Sequence, residues 1–156
     1  MILMKKRVAF LPREKTSVKN IFVDTNIIVD LIADRQPFSK FAINLFSKAE
    51  IREINLFTSS HSIATTHYLL KKYVGENDLR GIIYNLLDYL TVIPVDLGTI
   101  KKGLRSKHKD FEDAIQMICA YSVPGMDCIV TRNIKDFSNC EIPVLTPDEV
   151  FFYIAD

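Results

Sequence analysis

The sequence predicts an α/β fold: three layers, α/β/α, around a central, mostly parallel sheet of four to five strands. Three observations predict it. Short continuous apolar runs, such as Ile21-Phe22-Val23 and Cys128-Ile129-Val130, read as strands buried on both faces. Between them lie longer segments whose apolar residues recur at helical spacing. The two kinds of segment alternate along the chain, as they do where crossover helices join parallel strands. At 156 residues, 48% apolar and 25% charged, the chain fits one domain with a self-sufficient core.

The first strand is Ile21-Phe22-Val23, ending at Asp24, and Asn26 can cap a short helix carrying Ile27, Ile28, Leu31 and Ile32. After Pro37, a second helix is marked by Phe38, Phe41, Ala42, Leu45 and Phe46. Residues 54–58 form the next strand. Ser59 or Ser60 then caps a helix to Lys72, with Ile63, Ala64, His67, Tyr68, Leu69 and Leu70 on its inner face. A helix from Asn77 to Tyr89 carries the stripe Leu79, Ile82, Ile83, Leu86 and Leu87, which is assigned to the core rather than to a dimer face.

Thr91–Val95 is the third strand, with Pro94 near its end. Helices follow at 97–105 and 110–122, the latter with Phe111, Ala114, Ile115, Ile118 and Cys119 on its apolar side, until Pro124-Gly125 breaks it. Cys128–Thr131 is the fourth strand and Pro143-Val144-Leu145 the fifth. Thr146-Pro147-Asp148-Glu149 then combines a capping residue, a proline at the first helical position and a glutamate at the third, the signature of a capping box.

Residues 1–19 read as a basic N-terminal extension, expected to be disordered, and 20–156 as the folded domain. Six basic side chains within residues 1–20 face the single acid Glu14, so a net charge of +1 conceals an asymmetry. No secretory signal pattern and no membrane-length apolar run is visible. Three cysteines without close ligand spacing read as free thiols of a reducing compartment, and the expected location is cytoplasmic. A second basic cluster comprises Lys101, Lys102, Arg105, Lys107 and Lys109, with His108.

Ligands of parallel sheets bind beyond the carboxyl ends of the strands. Asp24 ends the first strand. The segment Lys109-Asp110-Phe111-Glu112-Asp113-Ala114 puts three acids at a helix start, where Asp113 leans toward the packed side. Thr131-Arg132-Asn133-Ile134-Lys135-Asp136 leaves the fourth strand with another carboxylate. Three distant stretches thus bring Asp24, Asp113 and Asp136 to one sheet edge. Such oxygens suit a hard divalent cation, whereas no Cys/His spacing suits zinc.

VDTN at 23–26, DFEDA at 110–114 and TRNIKDF at 131–137, with the ending PVLTPDEV at 143–150, resemble the signature blocks of PIN domains in order and spacing. The resemblance covers residues 20–154. It implies a Mg²⁺- or Mn²⁺-dependent ribonuclease, with RNA as substrate and, in the toxin branch, an antitoxin protein as partner; a homodimer is a further expected assembly. Carried over by motif, Asp24, Asp113 and Asp136 are the catalytic and metal-binding acids, and Glu112 and Asn133 are additional candidate ligands. Asn26, Thr65 and Thr131 would support the ligands or position substrate. Lys101, Lys102, Arg105, Lys107 and Lys109 would hold the RNA backbone. One departure stands out: the family usually carries a glutamate on the helix after the second strand, and Thr65 occupies that position here.

Three other readings compete. Loss of that glutamate fits a PIN-like module that binds RNA or a protein without cleaving. A phosphatase or phosphoacceptor would use Asp24 as nucleophile, but Asn26 stands where its second aspartate belongs. A nucleotide cofactor is not expected, because five scattered glycines form no phosphate loop.

Overall fold

The computed structural model describes residues 17–154, so the N-terminal extension up to residue 16 lies outside the described residues. Strand β1 (Lys19–Val23) starts inside the expected extension and pairs in parallel with both β2 (Ile54–Ser59) and β4 (Cys128–Val130). The remaining strands, β3 (Leu90–Ile93) and β5 (Val144–Leu145), close the parallel order β3-β2-β1-β4-β5. The sheet is therefore wholly parallel, and β1 is its central strand.

The pleat of β1 divides the core. Ile21 and Val23 face one layer with α1 (Thr25–Ile32), α2 (Ser39–Glu50) and α7 (Pro147–Tyr153), through Ile27, Ile28, Ala42, Leu45 and Val150. Phe22 faces the other, packed with Ile129 and with Ile115, Cys119 and Ala120 of α6 (Phe111–Tyr121). A third cluster, Val29, Leu70, Leu79 and Ile83, joins α1 to α3 (Ser60–Leu70) and α4 (Glu76–Leu86). α5 (Leu97–Arg105) packs on α6, where Gly103 lets the Phe111 ring approach: a Cβ there would stand 3.0 Å from Phe111 Cε2.

Several local readings are corrected. Asp24, not Asn26, caps α1, its carboxylate accepting from Thr25 N at 2.7 Å. α4 begins at Glu76 without a side-chain cap and stops at Leu86; Leu79 and Ile83 are buried, while Ile82 and Leu87 are exposed. The inner face of α3 is Ser62, Thr66 and Leu70, and Tyr68 and Leu69 point outward. Burying those hydroxyls is tolerable because each is bonded; Thr66 Oγ1, for one, donates to Ser62 O at 2.8 Å. His67 lies at the surface, 3.0 Å from Glu76, rather than in the core. The capping box of α7 forms as the sequence predicts: Thr146 N donates to Glu149 Oε2 at 2.8 Å.

Candidate active site

Beyond the carboxyl ends of β1 and β4, residues of α1, α3 and the start of α6, with Arg35, line an open polar cavity of about 220 Å³. Asp24 sits at its floor. Its backbone N–H extends the ladder to Val130 O at 3.0 Å, which fixes the Cα beyond the end of β1. The buried side chain accepts four hydrogen bonds: Thr25 N (2.7 Å) and Gln116 Nε2 (3.3 Å) to Oδ1, Thr131 Oγ1 (2.8 Å) and Asn26 Nδ2 (3.3 Å) to Oδ2. Every donor is neutral. Burial raises the Asp24 pKa, the bonds from Thr131, Thr25 and Gln116 oppose the rise, and the charge of Asp136 adds to it.

Asp113, in the first turn of α6, lines the same cavity. Its carboxyl is pushed up to about 7, chiefly by burial and then by the charges of Asp110, Asp24 and Asp136. Asp110 itself is the cap of α6, accepting from Asp113 N at 3.0 Å, so the helix-start reading of that acid holds. Asp136 lies in a short 3-10 turn, Ile134–Phe137, and lines a neighbouring cavity that shares Asp113 as a wall. Its charge nonetheless reaches both Asp24 and Asp113. Asn133, not Asp136, lines the first cavity.

The α3 wall contributes Thr65 and His61. His61 Nε2 lies 3.3 Å from Glu112 Oε1 across the cavity and 3.4 Å from Thr65 Oγ1. A carboxylate from α6 thereby reaches toward the place where α3 itself lacks one. Of the basic cluster, Lys107 and Lys109 line the neighbouring cavity, whereas Lys101, Lys102 and Arg105 are exposed on α5 and line neither.

Gln116 escaped the sequence reading. It is buried, it donates to Asp24 and Ser62 Oγ, and its Oε1 accepts from Ser59 Oγ. The signal was available: Gln116 follows Asp113 at i+3, so the two share a face of α6. Arg132 was likewise unassigned. Its Nη2 donates to Asp30 Oδ1 at 3.1 Å, its Nε stands 2.8 Å from Oδ2, and its guanidinium lies 4.4 Å from the Phe38 ring centre. That ion pair anchors the loop that carries Thr131 and Asn133.

Among the described residues, no three His, Cys, Asp or Glu side chains converge closely enough to clasp an ion unaided. The donor set still fits a hard divalent cation that keeps several waters: the candidate ligands offer oxygen, mostly from carboxylates, and the charge of Asp136 disfavours ionisation of Asp24 as those of Asp110, Asp24 and Asp136 disfavour that of Asp113.

A family profile described as PIN domain matches residues 20–135, most of the chain. The chain belongs to the PIN domain family. Ribonuclease VapC1 of Aquifex aeolicus (strain VF5) is 29% identical to this PIN domain over 136 residues, 84% of this chain and 92% of that protein. A chain in a toxin-antitoxin complex from Klebsiella pneumoniae superposes with a TM-score of 0.58 at 24% identity, covering 81% of this chain and 97% of its own. VapBC2 from Rickettsia felis, bound to a DNA fragment from its promoter, gives a TM-score of 0.60 at 18% identity over 81% of this chain and 98% of that chain. These two likenesses are of fold. No helix among the described residues is long and apolar enough to cross a membrane.

Proposed function

We propose that this PIN domain is a Mg²⁺- or Mn²⁺-dependent ribonuclease that hydrolyses RNA phosphodiesters, and that it is the toxin of a toxin–antitoxin pair. The observation that carries the reading is the setting of Asp24: a buried carboxylate whose four donors are all neutral, facing the acidic Asp113. Arg35 is the one guanidinium lining this cavity and forms no ion pair with its acids among the described residues, so the carboxylates Asp24, Glu112 and Asp113 outnumber it, and burying that excess is costly unless a cation completes it. The ribonuclease relative, alike over most of its length, and the toxin–antitoxin neighbours support the same assignment.

Asp24, Asp113 and Asp136 would hold the ion, with Glu112 and Asn133 as further oxygen donors. When bound, the ion supplies an activated water and charge neutralisation at the phosphate. The chain's own residues supply the order. Thr25, Asn26, Thr131 and Gln116 fix both oxygens of Asp24, and His61 lies within reach of both Glu112 and Thr65. The antitoxin is the partner of this reading, and the outward-facing Tyr68, Leu69 and Tyr73 at the end of α3 offer apolar contact surface to it or to a second copy.

A weakened, RNA-binding module is the second reading, favoured by the neutral Thr65 where the family carries a glutamate. Hydrolysis of a fluorogenic RNA in Mn²⁺ by the wild type and by Asp24→Asn separates the two. The nuclease reading expects a loss on the order of 100-fold or more in the variant; equal turnover from both proteins overturns it.

A further inference from the structure

The second cavity, about 370 Å³, stands beside the acidic one and shares its Asp113 wall. Its volume lies within the range of ligand sites. Lys107, Lys109 and Lys135 line it, together with Asp110, Asp113 and Asp136. All three lysines are exposed, and among the described residues none of them forms an ion pair within 4.0 Å, so their ammonium groups are open to an anion.

One further feature bears on what this space can hold. The apolar part of the lining is Met117 and Tyr121. Tyr121 is held in place through its hydroxyl, which accepts from Glu141 N at 3.0 Å and donates to Cys140 Sγ at 3.4 Å. A fixed aromatic ring beside free ammonium groups is the combination that binds single-stranded nucleic acid, the ring packing a base and the cations taking phosphates.

We propose that this second cavity is the subsite for the nucleotide adjoining the scissile phosphate of single-stranded RNA, with Lys107, Lys109 and Lys135 holding its backbone phosphates. The inference rests on the ribonuclease reading for the identity of the strand. The lysines contact phosphate only, so the subsite orients the strand without selecting a base.

Binding of a fluorescein-labelled single-stranded RNA oligonucleotide, followed by anisotropy in the presence of a chelator, tests the subsite without hydrolysis. Lys109→Glu/Lys135→Glu is expected to weaken binding at least tenfold at low salt. It should also flatten the slope of log K against log salt by about 1.4, two phosphate contacts at roughly 0.7 each. Lys71→Glu/Lys72→Glu makes the same charge change at the opposite end of α3, roughly 15 Å along the helix from His61, and should stay within about twofold. Equal weakening by both pairs, or none by the first, overturns the proposal. If charge reversal disturbs folding, Lys109→Ala/Lys135→Ala must still flatten the slope. Hydrolysis is scored separately in Mn²⁺. A wild type that binds through these lysines but does not cleave overturns the nuclease reading alone, and one that cleaves with the lysines inert overturns the subsite alone.

Discussion

Gln116 Nε2 lies 3.3 Å from Asp24 Oδ1, while the other end of the same amide takes the hydroxyl of Ser59. Only the nitrogen end can face a carboxylate, so Asp24 dictates the orientation of the amide. Through it α6 is tied to β1, β2 and α3 at the bottom of the cavity.

Removing that amide should therefore be felt twice. Gln116→Ala takes one buried partner each from Ser59 and Ser62, which keep their bond to each other, and is expected to destabilise the chain by about 1–3 kcal/mol, read from urea unfolding. It also removes one of the two donors that orient Asp24 Oδ1, so Mn²⁺ affinity, followed calorimetrically, should fall about tenfold. Unchanged stability would show that water fills the gap without penalty.

Asp113 makes the metal-free protein sensitive to pH. Its carboxyl, ordinarily near 3.8, is pushed up to about 7. The folded chain thus holds this proton more tightly than the unfolded chain. The resulting stabilisation is full below the ordinary value and is lost as the pH rises through about 7. Asp113→Asn removes the part of the dependence centred on this carboxyl, leaving that of Asp24 and Asp30. In chelator near neutral pH and above, it should exceed the wild type by on the order of 1 kcal/mol, after allowing for solvent screening of a half-open group. Urea midpoints of both proteins at acid and alkaline pH check the sign; a variant less stable than the wild type at alkaline pH contradicts it.

The α3 wall offers a gain-of-function test. Thr65 lines the cavity and Thr65→Glu would add a carboxylate there. Mn²⁺ binding is expected to tighten by roughly tenfold, with the metal-free variant less stable because a fourth acid joins Asp24, Asp113 and Glu112. His61→Gln should do the reverse, weakening the ion severalfold by releasing Glu112. Its effect on stability should stay within about 0.5 kcal/mol, since the pair is largely solvated. Titration calorimetry with Mn²⁺ decides both, and no change in either variant would remove Glu112 from the site.

Asp30 is buried and depends on Arg132. Arg132→Met leaves that carboxylate with the charge of Arg35 alone and should cost about 3 kcal/mol, whereas Asp30→Asn/Arg132→Met should recover a large part of the loss. A thermal melt of the single and double variants is sufficient. If the single variant melted like the wild type, the pair would not be anchoring the loop after β4.

Much of this molecule was written in local patterns. Apolar runs fixed β1 and β4, and the order Thr146-Pro147-Asp148-Glu149 fixed the start of α7, because strand burial and helix capping depend on neighbours a few residues apart. The acids at strand and helix ends were visible for the same reason, since a carboxylate beyond a buried strand is conspicuous on any reading. The family blocks supplied the order of the site. The α3 face was misread because its sequence offers Tyr68 and Leu69 as apolar residues, while the packed side is Ser62 and Thr66.

Tertiary structure decided what the chain cannot encode locally. A buried hydroxyl or amide is stable only if a partner arrives from elsewhere, and Ser59, Ser62 and Gln116 meet across more than fifty residues of sequence. Likewise, the three aspartates differ in role only through their surroundings. Asp24 is buried and fully bonded, Asp113 walls two cavities, and Asp136 acts from next door. Sequence alone determined which residue types stand at the sheet's edge; packing determined which of them share a space, because hydrogen bonds and charge repulsion act over distances that only the folded chain sets.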